Sequence, residues 1–445
     1  THRQSSAASD VYKRQRGWLC FVACLLPNSR GVFTLRFTNT LGQDKENELL
    51  LNSLADRKAE YGPDQLTVLN DEAFAVAQST ISAWPGYAPT PLVSLNTLAE
   101  KAQVAKIFYK DEGPRFGLGS FKALGGAYAV SQLLRREIAR IKSIDMPAIS
   151  KLLDGSHSDV ISEVTVCCAT DGNHGRSVAW GAQTFGCKCV ILIHSTVSEG
   201  RKQAIETYGA TVIRTKGNYD DSVREAQEAA TREGWFVVSD TSYPGYTDIP
   251  KDVMQGYELM AAEACEQMQS KPTHIFLQTG VGGMAAAVAA YTKRRYGDER
   301  PVIVLADPDQ SACWLESIRL GTPSPVHGDL NTLMAGLACG EVSVIAWDIL
   351  RQTADAVMSV MDDDAVAMMR VLANPTPNDQ AIVAGESAVA GLAALMAAAD
   401  HAQARDALGL DAHSQILIFG TESDTDPDLY VNLIGRSADE VRRAS

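Results

Sequence analysis

Residues 106–126 read KIFYKDEGPRFGLGSFKALGG, a short apolar run that passes through a glycine-rich turn into a helical pattern. The apolar run 106–110 is typical of a buried strand, and helical periodicity follows over 121–140. Two further segments, 164–185 and 274–296, also join a strand to a helix through a glycine-rich turn. Strands that alternate with helices in this way predict βαβ units and a mostly parallel sheet.

The same alternation continues along most of the chain. The predicted strands are 106–110, 164–169, 187–193, 211–214, 235–239, 274–277, 302–305, 356–359 and 415–419, and the clearest helices are 121–140, 174–185, 221–233 and 283–296. Nine strands exceed one comfortable doubly wound sheet. We therefore expect an α/β protein with two doubly wound, mostly parallel-sheet domains.

Three regions are predicted along the sequence. Residues 1–48 form a basic head, residues 49–119 and 245–445 a large α/β domain, and residues 120–244 a small α/β domain. A polar, irregular stretch at 141–162 is expected to be an insertion in the small domain. The head carries six Lys or Arg and one Asp within residues 1–36, and its longest apolar run is too short to span a bilayer. It is interpreted as a targeting segment or as non-native sequence.

Composition limits the classes of function. The chain has 445 residues, 45% of them apolar, and a net charge of −14. This acidity argues against broad binding to nucleic acid or to an anionic membrane, and a small-molecule substrate is expected instead. The nine cysteines show no zinc-ligand spacing, so no metal is expected. Their pattern favours a reducing compartment such as the cytoplasm, while the basic head leaves organelle or secretory targeting open.

The loop at 278–285, QTGVGGMA, follows a predicted strand and begins a helix. Glycines let backbone N–H groups approach an anion, and the helix N-terminus favours negative charge, so a phosphate fits here. The loop also satisfies G-x-G-x-x-A, and Asp307 follows the next predicted strand, as a dinucleotide fingerprint requires. A nicotinamide or flavin site, another phosphate cofactor and tight helix–sheet packing all remain open at this loop.

The other two loops carry candidate reactive groups. The loop 169–176, ATDGNHGR, could hold a carboxylate through backbone N–H groups, although a plain helix cap explains the same residues. Lys122 stands in the first turn of a predicted helix among apolar neighbours. The helix dipole there opposes a cation and favours the neutral amine, which suits a nucleophilic or Schiff-base lysine. A solvated surface lysine is the alternative.

Together the three loops resemble the fold type II pyridoxal-phosphate enzymes, the family of tryptophan synthase β. Six motifs in order, between residues 85 and 435, resemble more narrowly the diaminopropionate ammonia-lyases. They are Arg115-Phe-Gly-Leu with Phe121-Lys122 and Gly125-Gly-Ala-Tyr128, Ala169-Thr-Asp-Gly-Asn-His-Gly-Arg176, Gly280-Val-Gly-Gly-Met284, Met334-Ala-Gly-Leu-Ala-Cys-Gly-Glu341, Gly385-Glu-Ser387 and Thr421-Glu-Ser-Asp-Thr-Asp426. Ser423, where this family usually has glycine, puts the contact with the pyridine nitrogen in doubt.

The resemblance implies a homodimeric carbon–nitrogen lyase that converts 2,3-diaminopropionate to pyruvate and ammonia with pyridoxal phosphate. The implied cofactor-binding residues are Phe121, Lys122, Asn173, Gly280, Val281, Gly282, Gly283, Met284 and Thr421. The implied substrate-carboxylate residues are Thr170, Asp171, Gly172, Asn173 and His174. Lys122 and Asp171 would be the bases for opposite enantiomers, and Asp240 an acid near the substrate's second ammonium. A serine/threonine dehydratase, a cysteine-synthase-like β-replacement enzyme and a NAD-dependent oxidoreductase are the alternatives.

Overall fold

The structure is a computed structural model that describes residues 34–38, 46–170, 172–195, 197–217, 219–375 and 378–444. Most of the predicted basic head, and Asp171, therefore lie outside the described residues. Within these ranges, no helix is long and apolar enough to cross a membrane.

The described residues form twelve strands and eighteen α-helices. The strands are β1 (Thr34–Thr38), β2 (Glu46–Leu51), β3 (Leu92–Ser94), β4 (Lys106–Asp111), β5 (Thr165–Thr170), β6 (Lys188–Ile193), β7 (Thr211–Arg214), β8 (Phe236–Val237), β9 (His274–Gln278), β10 (Val302–Pro308), β11 (Ala356–Val360) and β12 (Gln415–Gly420). The helices are α1 (Pro63–Leu66), α2 (Asp71–Ser82), α3 (Asn96–Ala102), α4 (Ala123–Lys142), α5 (Ser150–Leu153), α6 (Ser158–Ile161), α7 (Asn173–Phe185), α8 (Glu199–Glu206), α9 (Tyr219–Glu233), α10 (Asp248–Gln267), α11 (Gly283–Tyr296), α12 (Cys313–Leu320), α13 (Val344–Thr353), α14 (Asp362–Ala373), α15 (Ala390–Ala399), α16 (Ala402–Leu408), α17 (Pro427–Ile434) and α18 (Ala438–Arg443).

The strands form two sheets. The larger has eight strands in the order β1-β2-β11-β10-β9-β12-β4-β3, and its five central strands, β11 to β4, run parallel. The smaller has four parallel strands in the order β7-β6-β5-β8. Strands β9 and β11 are buried along their whole length, as expected where helices cover both faces of a parallel sheet. The predicted α/β class with two mostly parallel sheets is confirmed, and all nine predicted strands are present.

Three strands were not predicted from the sequence. They are β1, β2 and β3, which pair antiparallel at the two sides of the larger sheet. Strand β3 has only three residues, and the segments of β1 and β2, TLRFT and ENELLL, mix polar with apolar residues, so the continuous apolar signal of a central strand is missing. Strand β1 lies wholly, and β2 partly, inside the predicted head 1–48, so residues 34–38 and 46–48 of that region belong to the larger sheet.

Residues 141–162, expected to form an irregular insertion, include helical segments. They contain the end of α4 and the four-residue helices α5 and α6. Leu152, Val160 and Ile161 are buried in the main hydrophobic core, so this stretch is packed structure. Helices of a single turn are too short for hydrophobic periodicity to reveal them.

Two long helices, α4 and α10, cross at glycines, and this crossing positions the site described below. A Cβ atom on Gly125 would overlap the ring of Tyr257, and one on Gly256 would overlap the carbonyl of Leu124. Glycine at both positions therefore lets the two helix backbones touch. As a result the beginning of α4 is fixed against the middle of α10.

Candidate active site

The larger sheet brings three predicted site segments to one edge. Strands β9, β12 and β4 are parallel neighbours, so the loops that leave their carboxyl ends lie side by side. These loops carry Gly280, Thr421 and Lys122, respectively. Gln278 donates to the hydroxyl of Thr421 (2.7 Å), and the Phe121 N–H donates to the Thr421 carbonyl (3.0 Å). Thr421 therefore holds the other two loops together.

The smaller sheet supplies the facing side of the site. Strands β5 and β8 are parallel neighbours, so Gly172 and Asn173 after β5 and Asp240 after β8 follow the same edge of the sheet. Asp240 crosses to the other sheet: its Oδ2 lies 2.5 Å from Nζ of Lys122. The two residues are 118 positions apart in the chain. Their contact joins the functional edges of the two sheets.

Lys122 lies immediately before α4, one residue ahead of its predicted place in the first helical turn. Its side chain is 19% exposed. Its Nζ lies 5.3 Å from the ring centre of Phe121 and 5.9 Å from that of Tyr257, which comes from α10. An amine held between two rings and one carboxylate is both accessible and oriented, as a covalent role requires.

The carboxylate of Asp240 is ionised in this setting. Burial by itself raises the pKa of Asp240, but the charges of His174 and Lys122 outweigh burial and hold the pKa below its ordinary value. His174 Nδ1 lies 3.7 Å from Asp240, and Nε2 lies 2.8 Å from the carbonyl of Val238. Since a carbonyl only accepts, Nε2 carries a hydrogen. The buried His174 side chain thus lies beside Asp240 and adds positive charge there, while its predicted contact with the substrate carboxylate stays a prediction.

The loop after β5 is ordered by its own side chains. The Thr170 hydroxyl oxygen accepts from the N–H groups of Gly172 (3.0 Å) and Gly175 (3.1 Å), so it acts as a helix cap. Asn173 begins α7, and its side-chain amide donates to the carboxylate of Glu422. Glu422 in turn accepts from the Ser387 N–H at 3.0 Å. The predicted roles of Thr170, Gly172 and Asn173 toward ligands stay predictions, as does that of the undescribed Asp171.

Residues 280–284, here called the phosphate loop, present backbone N–H groups to one side. The carbonyl of Gly280 accepts from the Trp314 indole (3.0 Å), that of Val281 from the Ser343 N–H (2.9 Å), and that of Gly282 from the Ala286 N–H (2.9 Å). In a trans peptide the N–H points opposite to the C=O. The N–H groups of residues 281, 282 and 283 therefore face away from these partners, at the N-terminus of α11.

Gly282 is the residue that shapes this loop. Its φ is +96°, in the left-handed region, and a Cβ there would overlap the ring of Trp314. Both conditions require glycine. A left-handed residue at the start of a helix is the backbone conformation in which successive N–H groups can form an anion-binding nest.

Asp307 does not have the role that a dinucleotide site needs. It lies inside β10 and is fully buried, and its Oδ2 accepts from the N–H groups of Trp314 (2.8 Å) and Leu315 (3.0 Å). Its other oxygen accepts from the hydroxyl of Thr279. Burial raises the pKa of Asp307 to about 7. Because this buried carboxylate caps α12, it is not available to bind a ribose hydroxyl. The NAD-dependent alternative requires an acidic residue with that role, so this position does not support it.

The residues at this edge fit pyridoxal phosphate. An accessible primary amine suits its aldehyde, the phosphate loop suits its phosphate, and the Phe121 and Tyr257 rings lie beside that amine. The turn containing Ser423 supports the same region, because its N–H donates to the Gly119 carbonyl (2.8 Å) in the loop before Lys122. Across the described ranges, no group of three or more His, Cys, Asp or Glu is placed to hold a metal ion.

Several residues of the site were not identified from the sequence as functional. They are Tyr257, Trp314, Ser343, Ser387 and Glu422. Ser387 and Glu422 stood within motifs of the family resemblance, and that was the available signal for them. The other three reach the site from α10, α12 and the start of α13, and such long-range contacts leave no local pattern.

Comparison with known proteins agrees with this geometry. Residues 83–412 match the family described as pyridoxal-phosphate dependent enzyme. Diaminopropionate ammonia-lyase of Escherichia coli (strain K12) is 42% identical over 355 residues, covering 78% of this chain and 88% of that protein. The enzyme of the same name from Salmonella typhimurium (strain LT2) is 37% identical over 406 residues, covering 88% of this chain and 100% of that protein.

Solved structures give the same result. The holo diaminopropionate ammonia-lyase of Escherichia coli superposes with a TM-score of 0.79 at 38% identity, covering 87% of this chain and 96% of that one. The same enzyme in complex with an aminoacrylate-PLP azomethine reaction intermediate gives a TM-score of 0.77 at 38% identity, with the same two coverages. Maize serine racemase, at 19% identity and a TM-score of 0.65, shares the fold alone.

Proposed function

The chain belongs to the pyridoxal-phosphate dependent enzymes and, within them, to the diaminopropionate ammonia-lyases, and from this premise we propose the reaction and the residues that carry it. The reaction is α,β-elimination of ammonia from 2,3-diaminopropionate, followed by hydrolysis to pyruvate and a second ammonia. The membership confirms the predicted cofactor, pyridoxal phosphate, and the predicted enzyme class, a carbon–nitrogen lyase. The observation that carries the residue assignment is the 2.5 Å contact between Lys122 and Asp240 beside the phosphate loop.

The proposed chemistry uses the phosphate loop and Lys122 in separate roles. Bound pyridoxal phosphate supplies an electron sink that makes the Cα–H bond of an amino acid acidic. We assign the N–H groups of the phosphate loop to its phosphate and Lys122 to its aldehyde. When not bonded to the cofactor, the Lys122 amine would be able to take the Cα proton from the face of the substrate that it adjoins.

Asp240 is assigned to the charge of the substrate. Diaminopropionate carries two ammonium groups, one more than serine or threonine. The Asp240 carboxylate stays ionised because His174 and Lys122 hold its pKa low, and it is 14% exposed beside the reactive amine. A carboxylate in this position attracts the second ammonium and orients it as the leaving group.

Ammonia stoichiometry tests the proposed reaction. Purified enzyme with pyridoxal phosphate should release two ammonia per pyruvate from diaminopropionate, whereas elimination from serine releases one. Lys122→Ala should abolish turnover and the borohydride-sensitive absorption band, because the amine that binds the aldehyde is gone. Lys142→Ala is a matched control, since that lysine ends the same helix and pairs with Asp159 far along the helix from the site. Faster turnover of serine or threonine than of diaminopropionate would instead support the dehydratase alternative.

The sequence-based assignment of Asp171 has its own test. If Asp171 is the base for one enantiomer, Asp171→Asn should slow that enantiomer of diaminopropionate by about 10²-fold or more. The other enantiomer should lose much less, because Lys122 still serves its face. Equal loss for both enantiomers, mainly in KM, would contradict this role and indicate simple attraction of the substrate cation.

Two further proposals concern the setting of the enzyme. A cytoplasmic location is proposed from the cysteine pattern, and a homodimer from the family resemblance. Sedimentation velocity of the purified full chain at micromolar concentration tests the second. A monomer under conditions where the enzyme is active would contradict it.

A further inference from the structure

The outer side of the phosphate loop is held by one aromatic side chain. Trp314, on α12, donates its indole N–H to the carbonyl of Gly280 at 3.0 Å. Its ring lies against Gly282, where a Cβ would approach within 2.6 Å of the Trp314 Cε2 atom. The indole is fully buried, and its N–H is bonded to the loop backbone.

We propose that Trp314 is a positioning residue for the cofactor phosphate. By binding the Gly280 carbonyl, it turns the following peptide so that the Val281 N–H points toward the phosphate. By filling the space behind Gly282, it keeps the next N–H on the same side. The inference rests on the cofactor and not on the identity of the substrate.

The position of Trp314 is itself fixed by Asp307. One carboxylate oxygen accepts from the backbone N–H of Trp314 (2.8 Å), and the other accepts from the hydroxyl of Thr279, the residue immediately before the loop. One buried carboxylate therefore holds both the start of the loop and the residue that braces it. This pairing explains why an acidic side chain is kept at a fully buried position in β10.

A role in general core packing makes a different prediction from a role in orienting the loop. Trp347, on α13, stacks on Trp314 with ring centres 6.0 Å apart and an interplanar angle of 28°. Both indoles are buried in the same core, but among the described contacts only that of Trp314 donates to the loop. Trp347→Phe is therefore the matched control for Trp314→Phe.

The test compares two ligands of the full-length apoprotein by equilibrium dialysis. Pyridoxal phosphate uses the phosphate loop, whereas pyridoxal has the same aldehyde and ring without the phosphate. Trp314→Phe should weaken pyridoxal phosphate about 5- to 10-fold, the range expected for one hydrogen bond, and leave pyridoxal within about 2-fold. Trp347→Phe should leave the ratio of the two affinities unchanged.

Each outcome decides the proposal. A fall in the affinity ratio for Trp314→Phe alone supports it, and an equal loss for both ligands, or no loss, overturns it. If Trp314→Phe does not fold, Asp307→Asn takes its place, because it loosens Trp314 and Thr279 while keeping the indole. That variant should lower the same ratio, and an unchanged ratio would overturn the proposal. Since no substrate is used, these results are independent of whether diaminopropionate is turned over.

Discussion

Replacing Asp240 with asparagine should make the amine of Lys122 react with pyridoxal phosphate at lower pH. In the native protein Asp240 Oδ2 lies 2.5 Å from Lys122 Nζ, and the side chains are 14% and 19% exposed. This contact stabilises the ammonium form, which does not attack an aldehyde. Asparagine keeps the shape and a dipole but removes the charge.

The contact sets the size of the effect. A hydrogen bond between charged partners contributes about 1.5–3 kcal/mol. An effective dielectric constant of about 20 gives about 4 kcal/mol for unit charges 4 Å apart, and partial exposure reduces this. Since one pH unit corresponds to about 1.4 kcal/mol, the midpoint of the reaction should move down by about one to two pH units.

The assay follows covalent labelling of Lys122. Apoprotein is mixed with pyridoxal phosphate at a series of pH values, fixed with borohydride after a short interval, and the labelled Lys122 peptide is quantified. Asp252→Asn is the matched control, because Asp252 makes a similar partly buried ion pair, 2.5 Å from Arg136, away from the site. A midpoint for Asp240→Asn that stays with wild type, or moves upward, would refute the electrostatic reasoning.

Three other predictions come from the same geometry. Gly282→Ala should weaken pyridoxal phosphate binding at least 10-fold and destabilise the protein by about 2–4 kcal/mol, because positive φ and a buried indole both oppose a Cβ there. Gly297→Ala has positive φ but open space around the new methyl, so it controls for backbone strain in the same dialysis and melting experiments. Burial raises the pKa of Asp307 to about 7, so the folded state binds its proton more tightly than the unfolded chain does. The free energy of unfolding should therefore fall as the pH rises from about 4 to about 7, and urea titrations should show less of this dependence in Asp307→Asn. Glu422→Gln should release the side-chain amide of Asn173. We expect the absorption maximum of the bound cofactor to shift and kcat to fall by a larger factor than KM changes. Glu422→Asp, which keeps the carboxylate, should show smaller changes in both the absorption maximum and kcat.

Local patterns in the sequence predicted the central part of the fold well. The nine predicted strands carry short runs rich in apolar residues, and α11 begins and ends at the predicted residues 283 and 296. The position of Lys122 among apolar neighbours at a helix start left a surface lysine open, and the combination of three loops that resembles the pyridoxal-phosphate enzymes singled it out. Asp307 was also noticed, as the acidic residue that one open alternative, a dinucleotide site, would need. The sequence shows an acidic residue after an apolar run but not which backbone groups it binds.

The residues that the sequence did not reveal act across long separations. Trp314 contacts a carbonyl 34 positions earlier, and Glu422 contacts an amide 249 positions earlier. Such pairs have no spacing rule, because they exist only once parallel strands bring their carboxyl ends to one edge. Aromatic and acidic residues in a core segment also have an ordinary structural explanation, so composition does not single them out.

The two sheets contribute different parts of the site. The residues that hold the cofactor phosphate and the residue that controls protonation of Lys122 therefore come from different sheets. The phosphate loop, Trp314 and Asp307 all belong to the larger sheet and the helices packed on it. The hydrogen bonds among them therefore involve only residues on that side of the site. Asp240 comes from the smaller sheet and reaches Lys122 across the gap between the two functional edges. Substitutions of Trp314 or Gly282, neither of which titrates, should therefore change affinity for the cofactor at every pH alike. Substitutions at Asp240 should change the pH at which the lysine reacts while the phosphate contacts persist. A variant that changed both properties together would indicate that the two sheets adjust as one unit when the cofactor binds.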